Sequence, residues 1–528
     1  MDSKSGSSPS LLRNRQKLLD FSLRSLIDLR AEEIPDLFFL LVGGSASPLS
    51  YHDLKEACVS IARSFMREGY GAGEAVAMML PNGRASALVL LSVMYSGRVL
   101  CPLNLAAGNA QLAYILEHSE ATMLLVAPEL RERANLFMEN HPEPPKVIEV
   151  DPDGIPFSGE NHTDTLSEGV PDVEDTALLM YTSGTTGKPK GVLLSHRSLV
   201  AGGMNATESH SLEPEDRALC VLPLYHINGL INTVMGPLVS GGSVFMPPKF
   251  QSSEFWKWIE EYRCTWFSIV PTLLSSLLHK TSLSTEQRKR LGSHLRFGRS
   301  ASAPLAPEVH HQFEKKFGVP VIETMGLTET SSPILSNPLP PGRIKYGSPG
   351  IPWGNEVRIV DGELRTVSNG TEGEIAVRGD NVMKGYFKNP DVTRETLREG
   401  WLLTGDIGVM DEDGYVFVRG RTKELIIKGG ENIAPREIDE ALYEHGEVVE
   451  AAAFAVDHSH YGQDVEACVI LADGASCDDS ELRDFCEPRL GAFKTPSRIH
   501  FVRELPKGPS GKIQRLRLAE WTRDKGKK

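Results

Sequence analysis

The 528-residue sequence predicts an α/β fold: a large N-terminal domain of layered α/β subdomains closed by a β layer, then a small α+β C-terminal domain. Three observations lead there. Between about residues 20 and 420, helical patterns alternate with short apolar runs, as they do where helices are layered on sheets. From 340 to 420 the texture turns to short strands between charged, Gly-rich turns. Beyond Gly420, roughly a hundred residues carry helices and strands of their own, enough for an independent small domain. The chain is too long for one core, and the domains are drawn at 1–420 and 421–528.

Each element follows from local pattern. Residues 51–69 space Leu54, Ala57, Cys58, Ile61, Ala62 and Phe65 three or four apart, which predicts an amphipathic helix, and AVAMMLP at 75–81 reads as the buried strand after it. The same helix-then-strand alternation recurs at 85–97 and 100–104, and again at 109–119 and 121–128. TALLMY (176–181) and GVLLSH (191–196) read as two strands flanking a glycine-rich strip, and EIAVRG (374–379) and GYVFVRG (414–420) belong to the β layer. In the small domain, helices are predicted at 435–446 and 479–491, and strands at 449–456, 465–473 and 498–505.

Composition limits the function. With 40% hydrophobic and 24% charged residues the chain resembles a soluble enzyme, and a net charge of −14 argues against nucleic acid or an anionic membrane as main partner. Seven scattered cysteines without a CxxC pair indicate neither a zinc site nor a disulfide framework, and so a reducing, cytoplasmic compartment. No apolar run approaches the ~18 residues of a membrane span.

The strip TSGTTGKPKG at 182–191 gathers backbone N–H groups, hydroxyls and ammoniums suited to a polyphosphate. It is not a Walker loop: Gly184 and Gly187 are three apart, and Pro189 follows Lys188. A strip between two strands reads as a flap over phosphates, or as a plain exposed turn.

Further stretches occur in order: PLYHINGL (223–230), ETMGLTET (323–330), WLLTGDIG (401–408), GRTKELI (420–426), KGGEN (428–432) and LPKGPSGKIQR (505–515). Together with the strip they resemble the acyl-adenylate-forming superfamily of acyl-CoA synthetases, adenylation domains and luciferases, over nearly the whole chain. The resemblance implies an AMP-forming acid–CoA ligase using ATP, Mg²⁺ and CoA, with a small domain that rotates between half-reactions. It places ATP at Thr182, Ser183, Gly184, Thr185, Thr186, Gly187 and Lys190, the adenine at Glu323, Thr324 and Met325, and the phosphates at Thr328. Met325 stands where the family usually has Tyr. Glu329 would hold Mg²⁺, Asp406 and Arg421 the ribose, Lys512 would act in adenylation, Lys423 would be the hinge, and Lys428, Gly429 and Gly430 would border the CoA tunnel.

Within the family, RFGRSASAPLAPEV (296–309) and SNPLP (336–340) look most like oxalate– and malonate–CoA ligases. The acid pocket is then expected at His226, which also counts among the catalytic candidates, with Asn228, Arg299, Ser300, Ala301 and Gly326. Arg299, His226 and Ser300 would grip a second anionic group, unless Arg299 turns away into a structural ion pair. A medium-chain or aromatic acid, a carrier protein in place of CoA, and a non-catalytic nucleotide-binding regulator are the alternatives.

Overall fold

The computed structural model describes residues 15–525 except 45–46, 155–165, 167, 183–187, 473 and 509–511. Ser183, Gly184, Thr185, Thr186 and Gly187 thus lie outside the described residues.

The alternating segment folds into two large, mainly parallel sheets. One has seven strands, in the order Gly385–Tyr386, Lys190–Ser195, Thr176–Thr182, Val99–Pro102, Ala75–Met79, Met123–Val126 and Lys146–Glu149. The strands flanking the glycine-rich strip pair antiparallel, Thr182 opposite Lys190. The other has nine strands; Val321–Met325, Phe297–Ser300, Trp266–Ile269 and Arg217–Cys220 run parallel and adjacent near its centre.

Between the sheets lies a shared helical layer. In helix Arg84–Tyr95 every residue from Ala85 onward is buried, because RASALVLLSVMY has no polar face to turn to water. Its leucines join one core with Val76 and Leu178 of the first sheet and Trp266 and Phe297 of the second. Each such side chain contributes roughly 1.5–3 kcal/mol through burial. Helix Tyr51–Arg67 starts where Ser50 and Asp53 form a capping box. Helix His196–Ser209 also lies in this layer. At its Gly202 a Cβ would come 2.2 Å from the Ser331 carbonyl oxygen, so glycine lets the helix press on the segment following Glu329.

A five-stranded antiparallel sheet follows at Glu356–Arg421, as the change of texture predicts. The small domain has its own five-stranded sheet, built on the hairpin of Val448–His458 and Gly462–Leu471. Helices Pro435–Tyr443 and Asp479–Leu490 cover one face of it, and Leu518 and Trp521 of the last helix pack on the other. Arg436 ties the two domains together, donating to the carbonyls of Val418 (2.8 Å) and Gly347 (2.9 Å). Among the described residues no helix is long and apolar enough to cross a membrane.

Candidate active site

The candidate residues gather where strands of open α/β sheets end, the usual place for a ligand. Thr182 closes its strand, and Ala301, Gly326 and His226 lie in the segments that follow the strands Phe297–Ser300, Val321–Met325 and Arg217–Cys220. Thr328 and Glu329 open a 3-10 turn, after which Ser331 (φ 45°) and Ser332 (φ 49°) adopt the left-handed backbone that non-glycine residues avoid.

Charges from distant parts of the chain meet here. Asp406 and Arg421 face each other across adjacent strands, with Arg421 Nε 2.9 Å from Asp406 Oδ1. Burial pushes the Asp406 carboxyl up, and Arg421 and Lys512 pull it back down. Lys190 lies half-buried, with Nζ 4.2 Å from the centre of the Tyr386 ring. Burial lowers its pKa, Glu329 opposes that, and the Lys423 and Arg421 charges reinforce it. Lys512 comes from the small domain, on a turn closed by a 2.7 Å bond from Gly508 N–H to its carbonyl. Its ammonium lies within electrostatic reach of Arg421, Asp406, Glu329 and Glu424. Desolvation and then Arg421 lower its pKa below 10.5. Lys512 is exposed, so water weakens the first effect. In a protein of charge −14, four cations thus meet three carboxylates in one cleft, suited to a polyphosphate.

Tyr386 is a site residue the sequence reading missed. Its hydroxyl donates to Glu329 Oε1 at 2.8 Å while its ring carries Lys190, so it joins the carboxylate to the strand that follows the strip. Among the described residues no group of three or more His, Cys, Asp and Glu side chains gathers in a metal-ligating cluster. The Glu329 carboxylate suits Mg²⁺, which binds through one or two carboxylates and substrate phosphates.

The acid end differs from expectation in one respect. Side chains alternate along a strand, so Arg299 and Ser300 point to opposite faces of Phe297–Ser300. Ser300 is the register partner of Glu323 and shares its face, where Glu323 Oε1 accepts from Leu305 N–H. Ser300 Oγ, Glu323 Oε2 and Thr324 Oγ1 are buried without partners among the described residues, and burial raises the Glu323 carboxyl. Ser300 is therefore not part of an anion grip with Arg299. Met325 packs beside Leu327 on the core of the five-stranded sheet.

Arg299 faces the layer between the sheets. It is fully buried, and Nη1 donates to Asn228 Oδ1 (2.5 Å) and Ser268 Oγ (2.9 Å). Its Nε and Nη2, one edge of the guanidinium, have no hydrogen-bond partner among the described residues. Burial alone pulls its pKa from 12.5 to about 9, still a cation at neutral pH, and among the described residues it forms no ion pair. Asn228 opens the helix Asn228–Met235, whose i→i+5 bonding periodicity arguments do not announce. His226 stands half-buried two residues earlier, its ring 4.8 Å from that of Tyr225. Ser268, on the neighbouring strand, carried no motif to mark it.

Lys428 has its ammonium inside the small domain, 2.7 Å from Asp464 Oδ1 and 2.7 Å from the Phe493 carbonyl. The charge is committed there, and the surface of this turn is left to Gly429 (φ 58°) and Gly430 (φ 88°). Lys423 sits in the single turn Thr422–Glu424 between the strand ending at Arg421 and the one starting at Ile426.

The AMP-binding enzyme family matches residues 28–387, and the AMP-binding enzyme C-terminal domain matches 437–512. The chain is 46% identical over 500 residues to a sulfoacetate–CoA ligase of Cupriavidus necator, covering 94% of this chain and 97% of that one. It is 35% identical to an oxalate–CoA ligase of Arabidopsis thaliana, covering 94% and 98%. Among solved structures, ATP-bound MatB of Rhodopseudomonas palustris superposes with a TM-score of 0.86 at 30% identity, covering 96% and 99%.

Proposed function

The chain belongs to the AMP-binding enzyme family and is an AMP-forming acid–CoA ligase; from that premise we propose that its acid is short and carries a second anionic group, a sulfonate or a second carboxylate. One observation carries this reading: Arg299 is a buried cation with a free bidentate edge and no carboxylate partner among the described residues. An isolated buried charge is costly, and a planar fork of two N–H donors matches an oxyanion. The relatives named for sulfoacetate and oxalate support it. An octanoyl chain or a benzene ring would bury hydrocarbon against that unpaired charge.

In the first half-reaction the other carboxylate of the acid attacks the α-phosphorus of ATP. A P–O bond forms to the acyl oxygen, the α–β bridging bond breaks, and pyrophosphate leaves. Lys512 and Lys190 balance charge growing on the phosphates, an electrostatic rather than covalent contribution, and Asp406 with Arg421 holds the ribose. Glu323 and Thr324 border the adenine. Glu329, steadied by Tyr386, would hold Mg²⁺, which supplies further neutralisation of the phosphates. In the second half-reaction the CoA thiolate attacks the acyl carbon, a C–S bond forms, and AMP departs. The small domain, from residue 421, turns about Lys423, withdraws Lys512 and presents the Gly429–Gly430 turn to the thiol arm.

The test is turnover with ATP, free CoA and a panel of acids, reading AMP and thioester together. Sulfoacetate, oxalate or malonate should exceed octanoate and benzoate by at least a hundredfold in kcat/KM. Equal turnover of octanoate removes the short-acid reading, and AMP release without CoA thioester points to a carrier-protein acceptor.

A further inference from the structure

A buried arginine is most simply satisfied by an aspartate or glutamate beside it. Here the fold surrounds Arg299 with neutral groups instead. Asn228 Oδ1 accepts from three donors: Arg299 Nη1 at 2.5 Å, Ser268 Oγ at 3.1 Å and Asn232 Nδ2 at 3.2 Å. Asn228 Nδ2 donates to Ser302 Oγ at 3.0 Å, and Ser302 itself holds a left-handed backbone (φ 73°). Asn232, one step further along the same helix, donates to Ser332 Oγ at 3.0 Å. The carboxamide oxygen of Asn228 is thus fully occupied within the protein, and its nitrogen is already turned toward Ser302.

We propose that Asn228 is a specificity-determining positioning residue rather than an acid contact: it anchors one nitrogen of Arg299, leaves the Nε–Nη2 edge without a protein partner among the described residues, and by its neutrality leaves the positive charge uncompensated for the substrate's second anion. An aspartate would fit the same space and accept the same bonds, since the Ser302 hydroxyl can turn to donate. It would also complete an ion pair, and the edge facing the substrate would belong to a neutral couple. The single amide-for-acid difference therefore decides whether the pocket attracts an anion. Ser268, the second anchor, lies beside Arg299 in strand register. This inference rests on the reading of Arg299 given above.

The experiment pairs each dianionic acid with an uncharged isostere: sulfoacetate with methylsulfonylacetate, and malonate with monomethyl malonate. The wild type should prefer the charged member of each pair. Asn228→Asp should lower that preference at least tenfold, mainly by raising KM for the charged acid, with KM for ATP and turnover of the isosteres within about threefold of wild type. A wild type without the preference overturns the reading of Arg299 itself. A wild type with it, and Asn228→Asp retaining it within threefold or losing charged and uncharged acids equally, overturns the role of Asn228 and leaves the ligase assignment standing. Should Asn228→Asp not fold, Ser268→Asp puts a carboxylate on the same guanidinium nitrogen from the neighbouring strand, and the same selective loss is required of it.

Discussion

Replacing Arg299 with methionine should leave the empty protein nearly as stable as before while abolishing its use of dianionic acids. The side chain is fully buried, and truncating a buried arginine with good partners ordinarily costs about 3–5 kcal/mol. Here the terms oppose one another. The depression of its pKa from 12.5 to about 9 corresponds to roughly 5 kcal/mol of charge-burial cost, at about 1.4 kcal/mol per tenfold, which methionine no longer incurs. Against this stand two lost hydrogen bonds, to Asn228 and Ser268, each about 1.5–3 kcal/mol for a charged donor. The terms nearly cancel, so the change in unfolding free energy should stay within about 2 kcal/mol. Arg98→Met is the internal control. That arginine is equally buried but is held by both oxygens of Glu168 (2.7 and 2.9 Å), the Ser96 carbonyl and the Tyr70 carbonyl, and its loss should cost about 3–5 kcal/mol. Denaturant titration of the ligand-free proteins compares the two. In kinetics, losing two charge-assisted bonds to the substrate anion should lower kcat/KM for sulfoacetate or malonate by about 10²–10⁴-fold, with KM for ATP unchanged. Arg299→Met as destabilised as Arg98→Met, or keeping malonate activity within fivefold, would refute the reasoning.

Four further outcomes follow from the cleft. Lys512→Ala should abolish pyrophosphate release from ATP and acid yet leave thioester formation from supplied acyl-adenylate largely intact, as single-turnover assays of each half-reaction can show. Because Lys512 must be protonated to neutralise phosphate and its pKa is lowered, the alkaline limb of kcat/KM for ATP should fall below pH 10.5 and move upward in Lys512→Arg; a limb unmoved by that change assigns it to another group. Tyr386→Phe removes one hydrogen bond to Glu329, about 1 kcal/mol, so half-saturating Mg²⁺ for pyrophosphate release should rise about fivefold, and Mg²⁺-dependent protection of the ATP complex against thermal unfolding should weaken in parallel. Lys423→Pro restricts the backbone where the small domain turns and should spare adenylation while blocking thioester formation; equal loss of both steps would place the pivot elsewhere.

Much of the fold was legible in the sequence because it rests on local periodicity. The helix at 51–67, the strand at 75–79 and the antiparallel pair around the strip each declare themselves within a few residues. Asp406 and Arg421, fifteen residues apart, become neighbours through one hairpin, and both lie in quoted motifs. The acid end was legible only in part, since its geometry depends on strand register and on an uncommon helix. The motif that names Arg299 also names Ser300, and only the alternation of a strand buried on both faces sends them apart. Ser268 and Tyr386 come from segments without motif, and register and packing bring them to the site. A sequence can show that Arg299 is present; it cannot show that no carboxylate among the described residues answers it.

The most direct measurement is a crystal structure with a non-hydrolysable sulfamoyl analogue of sulfoacetyl- or malonyl-adenylate. The account predicts the second anionic group on the unpartnered edge of Arg299, with oxygens about 2.7–2.9 Å from Nε and Nη2, Asn228 still bonded to Nη1, and the ribose on Asp406. A second anion turned to solvent or held by another group, with the Nε–Nη2 edge still unpartnered, would contradict it.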